Sequence, residues 1–139
     1  MNIKALLQPA PDKADVAMTI IRVAVGIIFF AHGWQKIFTF GFEGTGGFFG
    51  SIGIPAAGFF AIVVSLLELL GGLALILGIG TRIVGLLLAI DMIVALLVVH
   101  LPNGFFVSEN GYEFVLILGV ASLSFAITGA SSILLDNRL

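Results

Sequence analysis

The residues of this chain that could do chemistry are ionisable side chains set inside long apolar runs. Arg22, Glu68 and Asp91 stand well within such runs; His32, Lys36, His100 and Glu113 stand nearer their ends. A charge at the middle of a membrane helix costs about 2.5–3.5 kcal/mol, so it normally faces other protein and finds a partner. Counted at about 1.5 Å per residue, Arg22 lies roughly 9 Å, Asp91 roughly 12 Å and Glu68 roughly 15 Å from one end of their runs. The three are expected to share a layer. Two carboxylates and one guanidinium leave a spare negative charge that a proton would neutralise. This intramembrane cluster is therefore a candidate for proton handling. The structural alternative is an Arg22–Glu68 ion pair that sets helix register.

A second polar layer lies toward the other end. His32 and Lys36 are spaced i, i+4 and share a helix face, which also carries Arg22, Gly26, Phe29 and Gly33. His100 closes the third run, and Tyr112 and Glu113 open the fourth at similar height. His32, Lys36, His100, Tyr112 and Glu113 are read as a polar pocket walled by Phe29, Phe48 and Phe49. Pockets between bundle helices are common small-molecule sites. The alternative is interfacial anchoring, with Lys36 snorkelling and Trp34 and Tyr112 at headgroup level. Haem ligation by His32 and His100 is disfavoured, because His100, nine residues after Asp91, points to the opposite side of a straight helix.

No catalytic residue is assigned. There is no Ser–His–Asp or H-E-x-x-H arrangement, and no metal site is expected. The absence of cysteine removes disulfides, iron–sulfur ligation and zinc–thiolate sites. The glycine-rich stretch from Gly44 to Gly50 has no preceding strand or βαβ unit, so it is not read as a nucleotide loop. A net charge of −2 gives no footing for nucleic acid.

The elements that position these residues follow from hydropathy. Hydrophobic residues are 60% of the 139 positions and charged residues 10%, against about 25% charged in soluble domains. Such a chain belongs in a bilayer. Four apolar runs, residues 16–38, 55–77, 83–101 and 112–133, each approach the roughly 20 residues that cross hydrocarbon. They must be helical, because an open strand edge has no partner in lipid. The reading is an all-α, single-domain (1–139) bundle of four transmembrane helices. The first run is not read as a signal peptide: it is too long, contains Arg22 and lacks a small-x-small site. Gly41 to Gly53 holds six glycines among phenylalanines and is expected to be an interfacial or re-entrant segment. Small residues Ala61, Ser65, Gly71 and Gly72 are expected to permit close helix packing. Ile79 to Arg82 reads as a tight turn and Pro102 to Gly111 as a polar loop. Lys4, Lys13, Arg82 and Arg138 gather on one side and only Lys36 on the other. Both termini are thus expected to face the cytoplasm across a plasma (inner) membrane.

Several short motifs recur in order. They are Arg22, Gly26 and Phe29; His32-Gly33-x-x-Lys36; Glu68-x-x-Gly71-Gly72; and Gly80-Thr81-Arg82. His100 then precedes Gly104-Phe105-Phe106, followed by Gly111-x-Glu113 and by Gly129-x-x-Ser132 before Asp136. On these residues, and over nearly its whole length, the chain resembles the DoxX family of small membrane proteins. The resemblance implies a four-helix membrane bundle and a component of a quinone-linked or oxidative-stress-related redox system. Without cysteine, electron transfer would need a bound cofactor, a quinone or a soluble or membrane redox partner. Two alternatives stand beside it. One is a non-catalytic assembly partner of a soluble redox enzyme. The other is a small solute or proton carrier using Glu68 and Asp91, although no internal repeat of the kind common in carriers is seen. The cofactor and any homo-oligomer are left open.

Overall fold

The structure is a computed structural model and describes residue 3 and residues 7–130. Lys4, Ser132, Asp136, Arg138 and the end of the run reaching residue 133 lie outside the described residues. Among those described there are helices and no strands. Helix α1 spans Ala14–Trp34 and continues through a π-helical turn, Gln35–Thr39. Helix α2 spans Gly41–Ser51, α3 spans Ala57–Leu77 and α4 spans Thr81–Ala95. A second π-helical turn, Leu96–His100, extends α4, and α5 spans Glu113–Thr128. Among the described residues, three stretches are long and apolar enough to cross a membrane: Pro11–Thr39, Ala57–Leu77 and Thr81–Asn103. Helix α5 is apolar but shorter.

Glycines punctuate the chain where helices stop. Gly78 and Gly80 both take the left-handed conformation and turn α3 into α4, which residues with a Cβ adopt only at a cost. Asn110, also left-handed, ends the loop before α5. The segment Gly41–Gly53 is mainly a helix rather than broken chain. Glycine costs helix stability, but α2 lies along α3 and buries Thr45 and Phe49. Tertiary packing outweighs propensity in such a short helix.

The helices associate as two antiparallel pairs, α1 with α3 and α4 with α5. Small residues bring the backbones together. A Cβ on Gly33 would sit 2.3 Å from the Leu69 amide nitrogen, and one on Gly72 would sit 2.3 Å from that of Phe30. In the other pair, a Cβ on Gly85 would lie 2.7 Å from the Ser122 carbonyl oxygen. Ala61, Ser65, Gly71 and Gly72 are buried on α3. The interior is a continuous apolar cluster including Phe29, Leu75, Leu88, Leu118 and Phe125. Large apolar side chains such as Ile27, Leu70, Ile90 and Ile117 point outward, as suits a lipid-facing surface.

Candidate functional site

Lys36 stands just past the C-terminal end of α1, within the π-helical turn. Its Cα–Cβ bond tilts toward the N-terminus of the helix, as helical side chains do, so the ammonium turns back toward the bundle. There its Nζ donates to Glu68 Oε2 at 2.5 Å. The approach is possible because Gly33, one turn earlier, lets α1 touch the α3 backbone beside Glu68. The Lys36 backbone is fixed as well: buried Thr45 on α2 donates its hydroxyl to the Lys36 carbonyl at 3.1 Å. Glu68 is 4% exposed. Asp91, on α4, stands beside Glu68 and feels the charge of Lys36. Its Oδ2 is buried with no hydrogen-bond partner. His32 lies at the exposed edge of the group, within electrostatic reach of both Lys36 and Glu68. Its ring centroid is 6.3 Å from that of Phe114 on α5.

Arg22 is placed elsewhere. Its Nη1 donates to the Leu75 carbonyl and, at 3.4 Å, to that of Ile76. These carbonyls belong to the last turn of α3, where helices leave acceptors unsatisfied and carry partial negative charge. Leu75 is seven residues from Glu68, roughly 10 Å along the helix. The cation that joins Glu68 and Asp91 is thus Lys36. Depth counted from Cα positions misses this, since side chains of several ångströms lean along the helix axis. Arg82 acts like Arg22 at the same end of the molecule, donating from Nε to the Ala126 carbonyl of α5 at 3.1 Å.

The residues read as an outer pocket are used separately. Lys36 goes to Glu68. His100 Nδ1 is 2.9 Å from the Asn110 carbonyl oxygen. Glu113 Oε1 accepts from the Val107 amide at 3.1 Å. The Tyr112 ring stands edge-on to Phe105, 5.3 Å between centroids. His100, Tyr112 and Glu113 thus shape the loop between α4 and α5. Phe29 is buried in the core, Phe49 on α2 is buried, and Phe48 is exposed. A groove of about 150 Å³ does exist, but it is apolar and runs between α4 and α5, lined by residues such as Met92, Leu96, Val115 and Gly119. Among the described residues, no group of three or more His, Asp or Glu could hold a metal ion. Sequence reasoning missed Thr45. Its signal was a hydroxyl isolated in a run of glycine and phenylalanine, with nothing local to show what it would bond.

Residues 17–101 match the DoxX family model. The chain belongs to the DoxX family. The matched part holds Arg22, His32, Lys36, Glu68, Asp91 and His100; Tyr112 and Glu113 lie beyond it. Among curated DoxX-like relatives, the chain is 41% identical to "Putative oxidoreductase CatD" of Bacillus subtilis, over 88% of this chain and 86% of that protein. It is 32% identical to "Inner membrane protein YqjF" of Escherichia coli, over 90% and 93% respectively. It is also 39% identical to "Uncharacterized membrane protein Rv3486" of Mycobacterium tuberculosis, over 61% of this chain and 54% of that protein. No solved structure matches the chain.

Proposed function

We propose that this DoxX protein is a four-span component of a quinone-linked redox system in the plasma membrane, with both termini cytoplasmic. The observation that carries the proposal is the Lys36–Glu68 ion pair with Asp91 beside it. Polar networks among membrane helices are costly and mark functional sites by default. The redox assignment draws on the family and on the name of the Bacillus relative. Support for a fourth span comes from α5 lying antiparallel along α4, itself long enough to cross. Helix α2 then covers the outer end of α3 as the interfacial or re-entrant segment.

In this reading a quinone headgroup approaches at His32, the polar side chain at the open edge between α1 and α5. A quinone would supply carrier chemistry for two electrons and two protons, which the side chains here lack. His32 and Lys36 would hydrogen-bond its oxygens. The test is binding of a short-chain quinone to the protein in nanodiscs, with quinone reduction followed in cells. Binding weakened at least tenfold in His32→Ala and Lys36→Ala would support the reading. No binding, together with unchanged quinone reduction in both variants, would sink it.

One observation favours the assembly-partner reading instead. Phe105, Phe106 and Val107 are exposed together on the loop before α5, a surface suited to docking. Co-purification of one defined redox enzyme, lost in Phe106→Ser, would support it.

A further inference from the structure

We propose that Lys36, Glu68 and Asp91 form a proton-holding site in which the two carboxyls keep one proton between them at neutral pH. The inference concerns the charge state of the site and stands whether or not a quinone is its partner. Three elements bring the groups together: the π-helical turn after α1, the middle of α3 and the upper half of α4. The charges do not balance as drawn. One ammonium faces two carboxyls, and Arg22 is held at the far end of α3. An uncompensated charge in an apolar interior is expensive, and a carboxyl avoids that cost by taking a proton. Lys36 contacts Glu68, while Asp91 Oδ2 is buried without a partner, so the one ammonium pairs with one carboxyl and the other carboxyl faces it unpaired.

Among the described residues, the titratable groups around the site are few, and His32 stands at its exposed edge rather than against Asp91. The site is faced by His32 and Lys36 from α1 and its extension, by Glu68 from α3 and by Asp91 from α4. From α5 the near side chain is Phe114; Glu113 is turned to the Val107 amide. Buried Ser65, one turn before Glu68 on α3, adds an Oγ without a partner. The apolar groove between α4 and α5 lies elsewhere. A proton needs no cavity.

The test is infrared spectroscopy of the full chain in lipid nanodiscs at pH 7, reading the carbonyl stretch of protonated carboxyl groups in water and in deuterium oxide. The site should give a band worth one carboxylic acid. Asp91→Asn should abolish it, because Glu68 then ionises against Lys36. Glu68→Gln should also abolish it, because Asp91 then takes Lys36 as its partner. Lys36→Met should raise it about twofold, because both carboxyls then lack a cation. Size exclusion and circular dichroism establish that each variant is folded, and the wild-type band needs no variant. Absence of a protonated-carboxyl band in the wild type at pH 7 would overturn the proposal. So would a band that survives either carboxyl substitution, or one that vanishes when choline chloride is replaced by sodium chloride, which would make the ligand a sodium ion.

Discussion

Lys36 leaves the C-terminal end of α1 and points back into the apolar layer, where Glu68 receives it at 2.5 Å. Snorkelling outward would have kept the ammonium hydrated. The inward course is stabilised by an anion that is itself 4% exposed, so each group is the other's compensation. Removing either partner forces the rest of the site to find a new partner or take up a proton, a cost that removing both does not repeat. A double-mutant cycle therefore belongs at this scale. Lys36→Met and Glu68→Gln are each expected to destabilise the protein, and the double variant to cost less than their sum by about 1–3 kcal/mol. Unfolding followed by circular dichroism in mixed micelles would measure it; strict additivity would mean that the pair contributes nothing. Thr45→Val should cost about 1 kcal/mol in the same assay through loss of the hydroxyl bond to the Lys36 carbonyl. A variant as stable as wild type would show that bond to be dispensable.

Helices α1 and α3 can place that pair only because they touch. Gly33 and Gly72 remove side chains where the two backbones meet, and such contacts drive helix association in lipid, where burial of apolar surface does not. Gly47 on α2 is a different case: a Cβ there meets nothing within 4 Å. Gly33→Ala should therefore destabilise by about 1–3 kcal/mol through overpacking and loosen the Lys36–Glu68 contact. Gly47→Ala should be neutral or stabilising by about 0.5–1 kcal/mol, since alanine is the better helix former. Thermal unfolding of the two variants side by side checks both; equal losses would mean that helix propensity rather than interhelical contact governs Gly33. The arginines show a related economy. Arg22 and Arg82 donate to carbonyls in the last turns of α3 and α5, and these helix ends gather on the side where the proposed topology puts the cytoplasm.

The described residues form two antiparallel helix pairs, with α2 lying along α3, a polar site between the pairs and an apolar exterior. The proposed four spans place the loop before α5 outside the cell and the α3–α4 turn inside. The chain has no native cysteine, so single introduced thiols report cleanly. A membrane-impermeant maleimide should label Ser108→Cys in intact cells and Ile79→Cys only after permeabilisation. The reverse pattern would invert the topology, and labelling of both in intact cells would break the four-span reading.

Membrane residence, the helical class and the positions of the long helices were determined by the sequence alone. They depend on composition and on run length, which are local properties that lipid enforces on any chain. The three long stretches fall within a few residues of the apolar runs at 16–38, 55–77 and 83–101. The α2 helix was not legible, because its glycines argue locally against a helix and only contact with α3 supports one. The polar groups in the spans were legible as residues needing partners, but not as pairs. Arg22 and Lys36 are equally cationic, one on α1 and the other on the turn that extends it. Which one meets Glu68 was decided by the register at Gly33 and Gly72, by the backward lean of helical side chains and by the unsatisfied carbonyls that hold Arg22 at the end of α3. Those are distances between residues dozens of positions apart, and only the tertiary structure sets them.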